Sequence, residues 1–587
     1  MSENNNQIKA FITSLLCIGL VACVAPQTLP NDTTSAPETT GAQPSPVEEV
    51  AEQEIEYGSF TEDQLYKAII SELGAQRGQL EGAGENYFDL AIETRDLTII
   101  RRAVQFASIN NDVNALLQLG LLWAEISPTD PQPHLMLSMQ FLESGAFKQA
   151  ISHMARVIDL GGNIDFASLS GRTGRMNPED RASLIGNLQQ LSKEFSEQQS
   201  IRVALVQLLA QNRQFEEALL ELEGVQEDFT LEPNMVLLEA QIYQSIENND
   251  QALRALKSGV RKFENDKTLR FGYARLLVQN EDFAAAQTQF RILVEQDPQD
   301  WDTLFSVALL DVQLENYDGA ITAFERLISV DQRADDSRYN LGHVYELQGN
   351  LEKAIEHYRQ VSIGTNNFLS AQQQATRQSI QLGQFEEAHA WLQGLSRGQP
   401  RLEVLFTTIE SGLLIQAEHP QRAIELLNTS LNRFPNEADL LFARVMYYDS
   451  VSDRQGSETD LQQIILMQPE DARALNHLGY MLADQTTRFD EALELVERAI
   501  AISPEDPAII DSLAWAQYKL GHFEDALENL RKAYSAFPDD EVASHLGEVL
   551  WAMGREDEAR QVWLNALNTE PGSELIKEAM DRLQAAR

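Results

Sequence analysis

The chain has 587 residues, of which 90 are acidic and 45 basic, giving a formal net charge of −45 at pH 7. This balance argues against nucleic acid and other phosphate-rich partners, whose binding depends on clustered lysine and arginine. The simplest interpretation of the excess acid is that it solvates exposed helix faces.

The first 22 residues predict an export signal. Residues 10–22 form an apolar run after Lys9 that is too short to cross a bilayer comfortably. The run ends in Leu20-Val21-Ala22-Cys23, which resembles the lipobox of bacterial lipoproteins. That resemblance implies cleavage before Cys23 and lipidation of Cys23. The alternative is an ordinary cleaved signal with an incidental cysteine.

Residues 23–57 predict a disordered tether behind the lipidated cysteine. They are rich in Pro, Thr, Ser, Gln and Glu, and they hold too little apolar material to offset the entropy of ordering. The other cysteine, Cys17, belongs to the signal, so no disulfide is expected. Because Val24 rather than Asp follows Cys23, resemblance to enteric lipoproteins favours the outer membrane, with the folded part facing the periplasm.

Helical periodicity defines an N-terminal block, residues 58–162. Thr61, followed by Gln64, predicts a capping box at the start of the first helix. The first apolar stripe comprises Leu65, Ala68, Ile69 and Leu73. Further helices follow in pairs, with Ala103 and Ala115 at small-residue positions.

An imperfect repeat occupies residues 163–198. Residues 161–177 are rich in glycine and poor in helical periodicity, although Leu184, Leu188 and Leu191 match a second helix. This stretch predicts a loop or hinge. The alternative is a contact site, because Arg172 and Arg175 are basic residues in an acidic chain.

The main array, residues 199–573, repeats about every 34 residues. Alanines spaced by 34 residues are Ala218, Ala252, Ala286, Ala320, Ala354 and Ala388. Small residues also recur as Leu478-Gly479 and Leu546-Gly547, and Gly521 and Gly554 are placed where a helix must end. The sequence predicts an amphipathic helix over residues 574–587, which is expected to cover the last unit.

The recurring positions of small and large apolar residues, called slots below, resemble the pattern of the tetratricopeptide repeat (TPR) family. The resemblance implies an all-α fold: a superhelical solenoid of about fourteen helix-turn-helix units, one of them imperfect. It also implies that the first helices line a concave face. On that face the tentative partner-binding residues are Tyr480, Trp515, Tyr518 and Trp551, whose alternative role is packing against neighbouring helices. Asn340 lies at the slot where some TPR proteins bind the backbone of a peptide ligand.

No catalytic motif is present. The sequence lacks a phosphate-binding glycine loop, a His-Glu-x-x-His pair and CxxC pairs. The nine histidines are scattered and are expected to be solvated. We therefore expect no catalytic residues, no metal site and no cofactor; an enzyme would need a pocket at the interruption.

The lipobox, tether and long array together resemble the TPR lipoprotein adaptors of Gram-negative outer membranes. The chain is similar along most of its length to the pseudomonad adaptors of a periplasmic carboxyl-terminal processing protease, and residues 65–96 carry much of that resemblance. That resemblance implies a protein that brings together the protease and substrates such as peptidoglycan hydrolases. The alternative is a TPR scaffold of pilus, exopolysaccharide or other envelope-assembly machinery. Contact with the membrane would be through the lipid anchor only.

Overall fold

The computed structural model describes residues 60–585. Cys23, the lipobox and the predicted tether of residues 23–57 lie outside the described residues. Within residues 60–585 the chain forms 31 α-helices and one 3-10 turn, with no β-strand. The predicted all-α repeat fold is confirmed. The described helices divide into two units, with the boundary after Asn316.

The first unit contains fifteen helices. They are α1 Glu62–Ala75, α2 Leu80–Thr94, α3 Leu97–Ile109, α4 Val113–Ile126, α5 Gln132–Glu143, α6 Phe147–Asp159, α7 Ala167–Ser170, α8 Pro178–Glu194, α9 Gln199–Gln211, α10 Phe215–Asp228, α11 Pro233–Ser245, α12 Asn249–Lys262, α13 Lys267–Gln279, α14 Phe283–Gln296 and α15 Trp301–Gln313. From α1 to α14, odd-numbered first helices alternate with even-numbered second helices. Six of these successive pairs pack together, and the exception is the four-residue α7, which packs on α9.

The second unit contains sixteen helices. They are α16 Tyr317–Ser329, α17 Ala334–Leu347, α18 Leu351–Arg359, α19 Phe368–Gln381, α20 Phe385–Ser396, α21 Pro400–Gln416, α22 Pro420–Arg433, α23 Ala438–Ser450, α24 Arg454–Met467, α25 Ala472–Gln485, α26 Phe489–Ile502, α27 Pro507–Lys519, α28 Phe523–Ala536, α29 Asp540–Ala552, α30 Glu556–Thr569 and α31 Glu574–Ala585. From α17 to α30 they form seven further pairs, and α31 packs on α29.

Small residues allow the two helices of a pair to approach closely. A Cβ added to Gly479 on α25 would lie 3.1 Å from the backbone oxygen of Ala492 on α26 and would collide with Val496. On α29, a Cβ on Gly547 would collide with the indole of Trp563 on α30. The small residues at the predicted slots therefore allow the two helices of a pair to pack in direct contact.

Turns between paired helices need a left-handed residue. Gly521 and Gly554 have φ of 84° and 77°, as their predicted role at helix ends requires. Glutamates occupy the same conformation after α11 and α13, where Glu247 and Glu281 both have φ of 59°. The array therefore imposes this backbone conformation even where the residue disfavours it.

The first apolar stripe does not face the core. Thr61 forms the predicted capping box with Gln64, and α1 packs on α2. The buried side of α1, however, carries Ala68 and Ser71, whereas Leu65, Ile69 and Leu73 are exposed. Inner first helices are covered on both sides by neighbouring pairs, but no pair precedes α1 within residues 60–585.

The imperfect repeat has a vestigial first helix. It consists of the four-residue α7 and a 3-10 turn, Thr173–Arg175, followed by the full-length α8. Arg181 on α8 orders this segment by donating to the backbone oxygens of Thr173 (3.1 Å), Met176 (3.0 Å) and Gln211 (3.2 Å). The predicted second-helix residues Leu184 and Leu188 are buried.

Candidate functional site

First helices of the second unit bring polar aromatic side chains together on a common surface. The Tyr480 hydroxyl on α25 donates to Glu541 Oε1 on α29 over 2.6 Å. This bond links residues 61 positions apart and passes the first helix between them, α27. The first-helix surface of α25, α27 and α29 is therefore continuous across three pairs.

Trp515 lies at the centre of this surface but is only 3 % exposed. Its Nε1 donates to Asp484 Oδ1 on α25 (3.3 Å). Its ring stacks on His545 of α29, with centroids 4.0 Å apart and planes inclined by 21°. In this structure Trp515 thus packs against both neighbouring first helices, and a role in binding a partner stays a prediction.

The rings of Tyr480, Tyr518 and Trp551 are half-buried, so part of each remains open to a ligand. Tyr518 lies beside Trp515, with ring centroids 5.1 Å apart. Trp551 packs on Trp563 at 5.9 Å. Such rings combine apolar contact area with a polar atom, which suits contact with a protein segment.

A buried ion pair supports the surface from below. His545 Nδ1 lies 2.9 Å from Asp511 Oδ2, and both side chains are buried. Burial opposes the imidazolium, but the Asp511 carboxylate outweighs it, and the pKa of His545 is raised. The expectation that the histidines are solvated is therefore wrong here, because stacking of repeats buries a position that sequence periodicity places on a polar face.

Carboxylates dominate the rest of the surface. Burial raises the pKa of Glu548 on α29, despite the opposing effect of its ion pair with Arg582 on α31. Burial also raises the pKa of Tyr480, and Glu541 adds to this effect. Lys519 Nζ lies 4.5 Å from the centre of the Trp515 ring. The surface can hydrogen-bond, stack and attract cationic groups.

Sequence reasoning selected the aromatic residues but missed their charged partners. The missed residues are Asp484, Asp511, Glu541, His545, Glu548 and Arg582. The available signal was the 33-residue repeat of these two first helices: it pairs His545 with Ser512, so Asp511 lies one position before the equivalent of His545.

Asn340 and Arg172 lie far from this cluster in sequence. Asn340 on α17 donates from Nδ2 to the backbone oxygen of Asp336 in its own helix (2.8 Å) and is buried. Arg172 in the first unit is exposed and lines a groove of about 820 Å³ together with Lys148, Met176 and Leu184.

Two predicted site residues are not described at the side-chain level. For Arg175 the structure describes only the backbone, which belongs to the 3-10 turn. Cys23 lies outside the described residues. No helix of residues 60–585 is long and apolar enough to cross a membrane. Within the same range, no group of three or more His, Cys, Asp or Glu side chains is arranged to hold a metal ion.

Comparison with known proteins identifies the repeat. Family models described as tetratricopeptide repeat match residues 237–300, 274–310, 307–366, 442–507 and 518–583. The TPR repeat-containing protein PA4667 of Pseudomonas aeruginosa is 33 % identical over 548 residues, which cover 93 % of this chain and 91 % of that protein.

Solved structures of similar proteins match shorter stretches. A tetratricopeptide repeat protein from Parabacteroides merdae is 16 % identical with a TM-score of 0.31, covering 49 % of this chain and 99 % of its own. MamA from Desulfovibrio magneticus is 18 % identical with a TM-score of 0.26, covering 29 % of this chain and 97 % of its own. These scores are too low to carry an argument. The helix pairs, the family models and the Pseudomonas relative together show that this chain belongs to the tetratricopeptide repeat proteins.

Proposed function

We propose that the protein is a non-catalytic outer-membrane lipoprotein that serves as an adaptor for a periplasmic carboxyl-terminal processing protease. It would present substrates such as peptidoglycan hydrolases to that protease. Tetratricopeptide repeats generally mediate protein–protein interaction and are typically non-catalytic. The observation that supports a binding role is the first-helix surface of α25, α27 and α29, where Tyr480, Tyr518 and Trp551 remain partly open.

The mechanism is tethering. A protease and its substrate held on one scaffold meet at a raised effective concentration, which accelerates cleavage without new chemistry. A lipid at Cys23 would restrict this encounter to the membrane surface, because several acyl chains give lasting attachment. The protease assignment rests on the resemblance of residues 65–96 to the pseudomonad adaptors.

Binding to the cognate processing protease tests the proposal. The Tyr518→Ala/Trp551→Ala variant should bind the protease about 10–100-fold more weakly, since half-buried aromatic anchors contribute strongly to affinity. Its matched control is Leu220→Ala/Leu466→Ala, which removes the apolar side chains of two outer residues that are 71 % and 82 % exposed. Surface plasmon resonance with immobilised protease measures both variants.

Two results would contradict this proposal. One is unchanged affinity in the aromatic variant; the other is absence of a processing protease from material cross-linked to the tagged protein in cells. Recovery of an outer-membrane channel instead would favour a scaffold of envelope-assembly machinery.

Lipidation is tested separately. Cells fed labelled palmitate should incorporate label into the unsubstituted chain and into the Cys17→Ser variant, but not into Cys23→Ser. Fractionation of the same cells should move the Cys23→Ser protein out of the outer membrane. Label retained in Cys23→Ser would show that Cys23 is not the attachment site.

A further inference from the structure

Helix α1 exposes a continuous apolar face. Five side chains on it, Leu65, Tyr66, Ile69, Ile70 and Leu73, are between 39 % and 64 % exposed. Their spacing of one, four, five and eight residues places them along one side of the helix, over a length of about 12 Å. A contiguous apolar surface of this kind marks an interaction site rather than ordinary surface.

The face is self-complementary in an antiparallel arrangement. A two-fold axis through Ile69 places Leu65 of one helix opposite Leu73 of the other, and Ile69 opposite its own copy. Leucine at both ends and isoleucine at the centre give side chains of equal volume across the axis. We propose that α1 is a homodimerisation helix, which pairs antiparallel with α1 of a second copy of this chain.

Charges around the face agree with this pairing. The exposed Glu62 and Asp63 begin α1, and the exposed Arg77 lies just beyond its end, so each acidic end meets the basic end of the other copy. Lys67 falls opposite Ser71, a neutral residue. Glu72 is already bound within its own copy by Arg102 over 2.6 Å. No like charges oppose each other, and the two helix dipoles are antiparallel.

The stretch immediately before α1 is a poorer occupant of the same face. Residues 48–56 contain five glutamates, and folding back would bring them towards Glu62 and Asp63. Repulsion between these carboxylates would oppose such a contact, whereas a second α1 brings apolar side chains and a complementary arginine. This dimer is independent of the proposed adaptor function, since it uses α1 and not the first-helix surface of α25, α27 and α29.

A single helix face buries less surface than a standard interface, so the dimer is expected to be weak, with a Kd of about 10 µM. Sedimentation velocity of the full chain in a density-matched detergent should show dimer formation as concentration rises. Ile69→Glu places two carboxylates on the axis and should weaken dimerisation at least about 100-fold. Ile109→Glu, at an exposed apolar residue ending α3, should leave it unchanged.

Cysteine cross-linking tests the register. Ile69→Cys should form a disulfide between two copies on mild oxidation. Leu65→Cys alone should not, but a mixture of Leu65→Cys and Leu73→Cys chains should. The unsubstituted chain gives the background, because it contains Cys17 and Cys23.

Either of two outcomes would overturn the proposal. One is a chain that stays monomeric up to about 100 µM, about ten times the expected Kd. This outcome overturns the proposal even if Ile69→Glu abolishes binding of a different protein, because α1 would then bind that protein and not a second copy. The other is a dimer that persists unchanged in Ile69→Glu while circular dichroism shows an intact fold.

Discussion

Single side chains decide how closely the helices of a pair approach. Gly479 lies against the backbone of Ala492, and the ring of Trp563 fills the space that a side chain at position 547 would take. Ala526 on α28 occupies the same kind of slot and is fully buried. Because such slots are filled on all sides, volume added there has nowhere to go.

Ala526→Leu should lower the free energy of unfolding by about 1–3 kcal/mol through overpacking. Urea unfolding followed by tryptophan fluorescence measures this change, since Trp515 lies on the paired helix α27 and Trp563 belongs to the same hydrophobic core as Ala526. Ala536→Leu is the matched control, because Ala536 ends the same helix and is exposed. Equal stability of the two variants would show that the slot has spare volume.

The ion pair between His545 and Asp511 predicts a pH dependence. The carboxylates of Asp511, Glu541 and Glu548 all raise the pKa of His545, against the opposing effect of burial. Folding therefore favours the protonated imidazole, and its stabilisation is fully present below about pH 6.5 and is lost as pH rises through the folded value.

His545→Asn should reduce the fall in melting temperature of the second unit between about pH 6 and pH 9. Asparagine can still donate to Asp511 but does not titrate. His522→Asn, at an exposed histidine, should keep the dependence of the unsubstituted chain. An identical pH profile for His545→Asn would exclude this pair as the source.

At the scale of one element, the vestigial repeat shows how side-chain bonds replace a helix. The segment from α7 to α8 has little regular backbone pairing, and the three bonds of Arg181 to backbone oxygens compensate for it. Hydrogen bonds from a charged group contribute about 1.5–3 kcal/mol each, more than neutral ones. Arg181 therefore helps to order a stretch whose sequence predicts a loop, together with Gln211, which is hydrogen-bonded to Ser170 and Thr173.

Arg181→Ala should make residues 161–177 several-fold more sensitive to limited digestion by chymotrypsin, because the segment opens without unfolding its neighbours. Mass spectrometry of the fragments would place the new cuts near Phe166 and Leu169. Arg172→Ala, in the same segment but exposed, should digest like the unsubstituted chain. Unchanged digestion of Arg181→Ala would mean that apolar packing alone orders the segment.

At the scale of the whole molecule, net charge opposes folding. An excess of 45 negative charges repels itself, and although many arginines form ion pairs, most of these pairs are exposed and contribute little. Added salt should therefore weaken the repulsion between acidic residues more than it weakens the ion pairs, and so stabilise the fold.

Raising NaCl from about 0.05 M to 0.5 M should increase the melting temperature by about 2–4 °C, as screening removes repulsion. Neutralising three outer carboxylates in Glu494→Gln/Glu497→Gln/Glu528→Gln should raise the melting temperature at low salt and reduce the effect of salt. Differential scanning calorimetry measures both. A melting temperature that falls with salt would show that ion pairs dominate.

The sequence alone is enough to predict the repeat and the turns that end its helices. The 34-residue spacing, the small slots and the glycines at 521 and 554 are local or periodic properties, and the helix pairs reproduce them. The interruption was also visible, because glycine-rich sequence cannot sustain a long helix.

Only the tertiary structure decided which surfaces are open. Leu65, Ile69 and Leu73 have the pattern of core residues, yet they are exposed because burial of a first helix depends on the pair before it. His545 has the character of a surface residue, yet it is buried because stacking places Asp511 and Trp515 against it from the preceding pair. Sequence periodicity shows which face of a single helix is apolar. Whether that face is exposed depends on which neighbouring helices pack against it.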